Sequence, residues 1–387
     1  MRLGVPKERY PDEQRVALVP ADVAALTKIG LEVVIESGAG VAAAYPDAEY
    51  QAKGAQIVAS RAELYKQADI VACIRAGGAY PQAAEAELAL LRKDQYVVAF
   101  IEPLWDPAAA ARMAERGVSA LSMELIPRIS RAQSMDALSS MATISGYKAV
   151  LLAASTIPRI FPMLMTAAGT IAPARAFVIG VGVAGLQALS TAKRLGAITE
   201  AYDVRPAVKD QVESVGAKFV ELPLETATSE DKGGYAKAQG EDFYRRQQEL
   251  MTSVVARNDI IITTAAVPGK RSPVLVTAAM VAGMKPGAVI VDLAAERGGN
   301  CELTKPNEVV LTANGVTILG PTNLPATVPG HASQLYSRNV LNLLKHIVKD
   351  GAIVLNTEDE IVRETLVTHK GAVVHPRIRE LLGAAKA

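Results

Sequence analysis

Short hydrophobic runs alternate with longer stretches of helical apolar spacing through the first third of the chain. The helical patterns cover residues 20–29, 62–67, 82–91 and 107–116. The hydrophobic runs cover residues 33–35, 70–74, 96–101 and 118–123. Short apolar strands that alternate with helices are typical of β-α-β units, in which parallel strands form one sheet with helices on both faces. The pattern therefore predicts a first α/β domain.

The later half of the chain repeats this rhythm, with apolar runs at residues 218–220, 260–263, 289–292, 309–311 and 317–319. A proline-free segment at 136–155 predicts a helix that links two domains, and a last long helix at 332–349 returns the chain to the first. We expect an α/β protein with two doubly wound parallel-sheet (Rossmann-like) domains and a cleft between them. The first domain would comprise 1–135 plus 330–387, and the second 136–329.

One strand-turn-helix step in the second domain carries a glycine pattern. An apolar run leads directly into Gly180, Gly182 and Gly185, spaced as G-x-G-x-x-G. In dinucleotide-binding folds these glycines permit a tight turn, a close approach of the backbone to a pyrophosphate, and close helix–strand packing. The next strand ends at Asp203, whose carboxylate would accept hydrogen bonds from a ribose diol and repel a 2′-phosphate. The pattern predicts nucleotide binding with NAD favoured over NADP, and Arg205 is close enough to weaken that preference.

Composition excludes several other classes of protein. The formal net charge is +1 over 387 residues, so there is no basic excess to attract nucleic acid. Cys73 and Cys301 are isolated, which gives neither a disulfide framework nor the ligand spacing of a metal site. The chain opens without an apolar signal region, and its longest apolar stretch, 149–168, contains prolines and an arginine. We expect a cytoplasmic protein whose own chain does not span a membrane.

A segment near the predicted domain boundary is dense in hydrogen-bonding side chains. It includes Arg128, Gln133, Asp136 and Ser139. An arginine can form a fork to phosphate or carboxylate, and the other three share one face if the segment is helical. Ligand sites favour domain interfaces, which supports a binding segment. The alternative interpretation is that Asp136 only caps the linking helix.

Two further segments allow more than one interpretation. Residues 223–241 are polar and contain Gly233, Gly234 and a single tyrosine, Tyr235. This stretch is either a solvated surface loop or a lid that closes over a ligand. The apolar and small residues of a predicted β-hairpin, 161–165 and 170–172, indicate packing against another surface, such as a second copy of the chain.

Essentially the whole chain resembles domain I, the soluble NAD(H)-binding alpha component, of proton-translocating NAD(P) transhydrogenase. The most specific matches are Pro127-Arg-Ile-Ser-Arg-Ala-Gln-Ser-Met-Asp-Ala-Leu-Ser-Ser and Gly233-Gly-Tyr-Ala-Lys. Further matches are Gly4-Val-Pro-Lys-Glu, Gly180-Val-Gly-Val-Ala-Gly, Tyr202-Asp-Val-Arg, Thr263-Thr-Ala-Ala-Val-Pro-Gly-Lys and Val291-Asp-Leu-Ala-Ala-Glu-Arg-Gly-Gly-Asn-Cys. The glycine motif by itself is shared with many unrelated enzymes.

The resemblance implies a role for each matching residue. The residues that would hold the nicotinamide half and align it for catalysis are Arg128, Gln133 and Asp136, with Ile129, Ser130 and Ser139 completing that contact. The residues along the pyrophosphate would be Gly180, Gly182 and Val183. The residues at the adenosine ribose would be Asp203, Val204 and Arg205. The lid would contribute Gly234 and Tyr235, and the same cleft would be lined by Gln247 and Ala266.

Alanine dehydrogenase is the related enzyme and the main alternative. Oxidation of an amino acid releases a proton as well as a hydride, so it needs a general acid/base. The resemblance places a histidine base after the fourth strand, where residues 97–103 contain no histidine and Glu102 is the alternative base. It also places an aspartate where this chain has Glu296, and a substrate-binding lysine where it has Arg75. Direct exchange between two nicotinamide rings needs only alignment and exclusion of water. The residues therefore favour transhydrogenation, with an alanine dehydrogenase or a non-catalytic NADH-binding module as alternatives.

The resemblance also implies partners. NAD(H) on this chain would exchange hydride with NADP(H) bound by a separate subunit, and the exchange would be coupled to proton translocation. Membrane-spanning subunits would hold the chain on the cytoplasmic, inner face of the membrane. The chain ends at Ala387 without an apolar extension, which suggests a split-subunit arrangement. A homodimer is a further implication of the family.

Overall fold

The computed structural model of the protein describes residues 1–222 and 241–384. Its strands are β1 (Arg2–Val5), β2 (Glu32–Glu36), β3 (Gln56–Val58), β4 (Ile70–Arg75), β5 (Tyr96–Phe100), β6 (Ser119–Ser122), β7 (Leu164–Thr166), β8 (Gly169–Ile171), β9 (Arg175–Ile179), β10 (Ile198–Tyr202), β11 (Lys218–Phe219), β12 (Ile260–Thr263), β13 (Val289–Asp292), β14 (Val309–Leu311), β15 (Thr317–Leu319), β16 (Val348–Lys349), β17 (Ala352–Ile353), β18 (Leu366–His369) and β19 (Ala372–Val373). Its helices are α1 (Pro20–Thr27), α2 (Asp47–Ala52), α3 (Arg61–Gln67), α4 (Ala84–Leu90), α5 (Pro107–Glu115), α6 (Ala137–Thr156), α7 (Val183–Arg194), α8 (Lys209–Ser214), α9 (Glu241–Arg257), α10 (Ala278–Ala282), α11 (Pro329–Ile347), α12 (Glu360–Thr365) and α13 (Pro376–Ala384).

The chain divides into two compact units, each built around its own sheet. Unit 1 comprises Met1–Met141 and Pro325–Ala387, and unit 2 comprises Ala142–Leu324. Both are α/β units with mainly parallel sheets, which confirms the predicted fold class.

Unit 1 contains an eight-stranded sheet in the order β3-β2-β1-β4-β5-β6-β18-β19. The first six strands are parallel to one another, and β18 and β19 extend the sheet in antiparallel fashion. This is the doubly wound order 3-2-1-4-5-6, with its topological switch between β1 and β4. The apolar pattern did not predict β1 and β3, because Gly4 interrupts the apolar residues of β1 and β3 contains only two apolar residues, Ile57 and Val58.

Unit 2 contains a seven-stranded sheet in the order β11-β10-β9-β12-β13-β15-β14, parallel except for the β14–β15 pair. The switch point lies between β9 and β12, so the ends of these strands are where an open α/β sheet holds its ligands. Apolar side chains cover both faces. Helices α6, α7 and α8 pack on one face, and α9 and α10 pack on the other.

Helix α6 is the long linking helix that the sequence predicted. Among the described residues it alone has the length and apolar composition with which a helix could cross a membrane. Core helices pass the same test, so this is weak evidence for a span. Its residues Ala149, Val150 and Ala153 are fully buried in the core of unit 2, and the helix ends before Pro158.

The predicted hairpin of unit 2 is present as strands β7 and β8, which pair in antiparallel register from Leu164–Ile171 to Thr166–Gly169. All six strand residues are exposed, and Met165 leaves 73% of its surface uncovered. An isolated two-stranded hairpin is only marginally stable in water. The apolar arms therefore present a surface that lacks a partner among the described residues of this chain.

Candidate functional site

The glycine turn of unit 2 has the geometry that nucleotide contact requires. Gly180 follows β9 with φ of +93°, a conformation that side-chain-bearing residues rarely adopt. A Cβ atom on Gly182 would meet no atom of the described residues within 4 Å, so the backbone there is open to a ligand. Helix α7 begins directly afterwards, and no side chain of the described chain caps its N-terminus. Its first N–H groups and the positive end of its dipole thus remain available for an anion.

The first turn of α7 is held in place by two close glycine contacts. A Cβ atom on Gly185 would lie 2.0 Å from the Gly180 carbonyl oxygen. A Cβ atom on Gly146 of α6 would lie 2.1 Å from the Ala184 carbonyl oxygen. Only glycine fits at either position. The sequence motif predicted the first contact but gave no signal for the second.

Asp203 lies beside the glycine turn, and its carboxylate is already fully occupied. One oxygen accepts from the Val181 backbone N–H at 2.7 Å and from Arg205 Nη2 at 2.8 Å. The other accepts from the backbone N–H and the Nε of Arg205, both at 2.9 Å. The Arg205 side chain therefore donates to the Asp203 oxygens that were expected to accept hydrogen bonds from a ribose diol.

Gln247 lies on α9 with its side chain completely buried. Among the described residues neither its amide nitrogen nor its amide oxygen has a hydrogen-bond partner. Tyr202 lies at the end of β10, close enough to the Gln247 amide for that amide to affect the pKa of the Tyr202 hydroxyl, which burial raises. The Tyr202 hydroxyl is itself buried. The Tyr202 hydroxyl and the Gln247 amide lie within reach of each other, so these two buried groups are positioned to satisfy one another.

The polar segment that precedes α6 belongs to unit 1. Residues Ser130–Met135 form a 3-10 turn, with Ala132 and Met135 buried and the side chains of Arg128 and Gln133 exposed. Asp136 is extended, with φ of −70° and ψ of 91°, so the segment is not one continuous helix. The condition under which Gln133, Asp136 and Ser139 would share one helical face is therefore not met.

Asp136 caps α6. Its carboxylate accepts the Ser139 backbone N–H at 2.9 Å and the Ser139 hydroxyl at 2.6 Å. These two bonds show that Asp136 caps the linking helix.

The remaining residues predicted for the site differ in how far their side chains are buried. Val183 and Val204 are partly buried next to the glycine turn and Asp203, and Ala266 is exposed in the loop after β12. Ile129 is partly buried and Ser130 is exposed. The predicted lid, with Gly234 and Tyr235, lies outside the described residues.

The carboxyl edge of the unit 1 sheet carries buried charges, which the sequence analysis did not assign to a site. Glu13 accepts from Arg15 Nε at 2.7 Å and Nη2 at 2.6 Å, and both side chains are almost fully buried. Arg75, at the end of β4, lies 3.9 Å from Glu13 and stacks 4.2 Å above the Tyr10 ring. The signal that was available is Glu8, which follows β1 at the switch point in the Gly4-Val-Pro-Lys-Glu motif.

Glu8 and Glu124 carry the perturbed carboxyl groups of this edge. Glu8 accepts the Ile74 backbone N–H at 2.6 Å, and burial together with nearby Glu13 raises its pKa to about 8. Glu124 accepts the backbone N–H groups of Ile101 and Glu102, and burial and the Glu102 charge raise its pKa. Glu102 itself has φ of +56°, an unusual conformation for a residue other than glycine.

No group of three or more histidine, cysteine, aspartate or glutamate side chains is positioned to hold a metal ion within residues 1–222 and 241–384. Both cysteines are free and buried. Burial raises the pKa of the Cys73 thiol and raises that of Cys301 to about 11. Both thiols are therefore protonated at neutral pH.

Comparison with known proteins covers both units. The model of the alanine dehydrogenase/PNT N-terminal domain matches residues 4–145, and that of the C-terminal domain matches residues 149–376. The chain is 47% identical over 384 residues to an NAD(P) transhydrogenase subunit alpha protein of Rhodospirillum rubrum, covering 98% of this chain and 99% of that one.

Two further comparisons define the relationship. A crystal structure of transhydrogenase from Sinorhizobium meliloti superposes with a TM-score of 0.85 at 42% identity, covering 97% of this chain and 100% of that chain. Alanine dehydrogenase of Mycobacterium tuberculosis is 28% identical over 389 residues, which is 99% of this chain and 97% of that enzyme. The transhydrogenase alpha subunits are thus markedly more similar than the dehydrogenase.

Glu8 gives the protein a pH dependence with a defined sign. Its folded pKa of about 8 exceeds the value of 4.5 of a free glutamate, so between these values the folded state keeps a proton that the unfolded chain has lost. Its stabilising contribution is complete below pH 4.5 and is lost as the pH rises through 8. Glu8→Gln keeps an acceptor for Ile74 and removes the titration. Between pH 4.5 and 8, the unfolding free energy of Glu8→Gln relative to that of the wild type should increase by up to about 1.4 kcal/mol per pH unit.

Urea denaturation at a series of pH values measures this difference. Glu308→Gln, at an exposed glutamate, is the matched control and should run parallel to the wild type. Parallel curves for Glu8→Gln as well would show that Glu8 is ionised in the folded protein.

Proposed function

The chain belongs to the alanine dehydrogenase/PNT family, on the branch of the NAD(P) transhydrogenase alpha subunits, and we propose that it binds NAD(H) and exchanges hydride with NADP(H) on a separate subunit. Its enzyme class is NAD(P) transhydrogenase at the level of one subunit. The observation that carries the proposal is the open backbone at Gly182, before an uncapped helix N-terminus and beside Asp203.

The pyrophosphate would lie along Gly180, Gly182 and Val183. Two observations support the fit. The space above Gly182 is free of atoms of the described residues, and the first N–H groups of α7 receive no side-chain acceptor from them. Both features suit a pyrophosphate, whose two phosphates each carry one negative charge and would gain hydrogen bonds and a favourable dipole interaction there.

The adenosine end would contact Asp203, Val204 and Arg205, with Gln247 and Ala266 lining the same region. The ribose diol would have to share Asp203 with Arg205 or displace it. Gly234 and Tyr235 would close over the nucleotide.

The nicotinamide half would contact residues of the Arg128–Ser139 segment. Arg128 and Gln133 have exposed side chains, and Asp136 and Ser139 form a fixed pair at the start of α6. Ile129 and Ser130 would complete the contact through their position in the same turn. In this assignment Arg128, Gln133 and Asp136 orient the ring.

The bound nucleotide supplies the chemistry, which is hydride release or acceptance at C4 of its nicotinamide ring. The residues of this chain supply position, since holding two reactants in a productive geometry can contribute several powers of ten to the rate. No proton is gained or lost at the reacting carbon. The segment with Arg128 and Gln133 therefore needs hydrogen-bonding groups and no general base.

The names of the related alpha subunits imply that other subunits complete the enzyme. We propose that these are an NADP(H)-binding subunit and membrane-spanning subunits that hold this chain on the cytoplasmic face, with hydride exchange coupled to proton translocation. The decisive experiment mixes the chain with the NADP(H)-binding subunit, NADPH and an NAD analogue whose reduced form absorbs at a distinct wavelength.

Three results separate the candidate functions, the first two from experiments on nucleotide transfer and binding and the third from an assay of this chain alone. Reduction of the analogue supports transhydrogenation. Binding of NADH without transfer would make the chain a nucleotide-binding module. NAD-dependent oxidation of L-alanine at alkaline pH, measured by absorbance with this chain alone, would make it an alanine dehydrogenase.

Gln133→Asn tests the positioning role. The shorter side chain keeps the same amide group and moves it by one methylene, so we expect NADH affinity within about tenfold of the wild type and transfer slowed by about a hundredfold. Calorimetry gives the affinity, and single-turnover kinetics in the mixing assay give the rate. Gln51→Asn, at another exposed glutamine, is the control. Equal losses in affinity and rate would remove Gln133 from its assigned role.

Arg205→Ala tests the adenosine end. Removing the guanidinium leaves Asp203 with free acceptors and an uncompensated charge, so the ratio of the NADPH to the NADH dissociation constant should rise by at least about tenfold. Calorimetry with both nucleotides measures the ratio, and Arg194→Ala, at an exposed arginine of α7, is the control. An unchanged ratio would mean that Arg205 does not influence nucleotide choice.

We also propose that the chain forms a homodimer through the β7–β8 hairpin, whose exposed Met165 and Ile171 offer an apolar surface. Introducing a charge by Ile171→Lys should weaken the dimer by at least about tenfold, because the charge loses its hydration at the interface. Sedimentation equilibrium measures the dissociation constant, and Val309→Lys, at another exposed strand residue, is the control. A wild-type monomer, or equal effects of both variants, would contradict this interface.

A further inference from the structure

Helix α11 carries a polar stripe that faces the Ser130–Met135 turn within unit 1. The stripe consists of Asn339, Asn342 and His346, whose spacing places them on one side of a helix. The resemblance to known enzymes gave these residues no role. The contacts they make converge on the segment that contains Gln133.

The first anchor is the Ser134 carbonyl oxygen. It accepts from the side-chain amides of Asn339 and Asn342, each at 3.0 Å. A carbonyl oxygen has two lone pairs, so these donors satisfy it completely. Ser134 follows Gln133 directly, and its peptide is therefore fixed next to the side chain proposed to orient the nicotinamide.

The second anchor is Asp359, the N-cap residue of α12. Its carboxylate accepts Arg131 Nη2 at 2.7 Å and pairs with His346 Nε2 at 2.6 Å. Although burial opposes the shift, the hydrogen bonds from Arg131, the Ile361 backbone and His346 lower the pKa of Asp359 to about 2. Asp359 is therefore charged at neutral pH and attracts Arg131 continuously.

Apolar contacts support the same segment from beneath. Ala132 is fully buried and Met135 is 6% exposed, whereas Gln133 is exposed. Two buried side chains alone leave a short turn free to shift along the surface. The polar bonds at Arg131 and Ser134 remove that freedom on both sides of Gln133.

We propose that Asn339, Asn342 and Asp359 are positioning residues, which fix the Arg131–Ser134 backbone and so set where Gln133 presents its amide to the nucleotide. The effect on hydride transfer rests on the proposed function. The effect on the segment itself does not, and it can be measured without any nucleotide.

Hydrogen–deuterium exchange followed by mass spectrometry tests the anchor in the full-length protein. In Asn339→Ala/Asn342→Ala, exchange of peptides that cover residues 128–136 should accelerate by about tenfold, because local opening no longer breaks two hydrogen bonds. Arg131→Ala, at a side chain that is 51% exposed, should accelerate it as well without disturbing the core. Gln334→Ala, at an exposed position of the same helix, is the matched control and should leave exchange unchanged.

The mixing assay then separates positioning from a general structural role. In the asparagine double variant the transfer rate should fall by at least about tenfold while NADH affinity changes by less than about threefold. The single variant Asn342→Gln keeps the amide donor and should retain most of the wild-type transfer rate. Asn342→Asp is isosteric but cannot donate, so its transfer rate should fall.

Each outcome decides the proposal. Exchange equal to that of Gln334→Ala would overturn the anchor, and accelerated exchange with normal transfer would overturn its functional consequence. If the wild-type chain transfers no hydride with its partner, the proposed function fails, and the exchange measurement still decides the anchor. A melting temperature near that of the wild type identifies folded variants, and Arg131→Ala provides the test if the double variant does not fold.

Discussion

The close contact of α7 with the turn after β9 is the constraint on which unit 2 depends. Because Gly185 has no side chain, the first turn of this helix can approach the Gly180 carbonyl, and because Gly146 has none, α6 can approach the Ala184 carbonyl of that turn. These two contacts fix the helix N-terminus at the end of the central strand. The Val181 N–H links the same turn to Asp203, so that the proposed phosphate and ribose contacts share one support.

Unit 1 has the same strand order and a different chemistry at its edge. Where unit 2 has glycines and free N–H groups, unit 1 has the buried Glu13–Arg15 pair with Arg75 beside it. A buried ion pair gives little net stability, since desolvation of both charges offsets their attraction. Relatives with transhydrogenase and alanine dehydrogenase names both match across the two units, so one architecture serves both groups. Fold alone therefore does not distinguish them, and a distinction has to come from the residues of the site.

Much of the fold could be predicted because its signals are local. Strands β4 and β5 are continuous apolar runs. The spacing of the glycine motif indicates that position 185 has no room for a side chain. The site was predicted less completely. Asp136 could be identified as polar and near a helix start, but the break it makes before α6 depends on its own backbone conformation, which helical spacing does not reveal. Strand β3 was not predicted, because it contains only two apolar residues, Ile57 and Val58.

The sequence by itself determined the two α/β units, the glycine turn and the family, because hydrophobic period, glycine geometry and motif spacing are properties of neighbouring residues. Only the tertiary structure decided which groups satisfy one another. It paired Asp203 with Arg205, placed the Gln247 amide within reach of the Tyr202 hydroxyl, and brought Asn339 and Asn342 to the Ser134 carbonyl across 205 and 208 positions of sequence. Such pairings follow from how helices and strands pack, and the hydrogen-bonding capacity of a side chain does not reveal its distant partner.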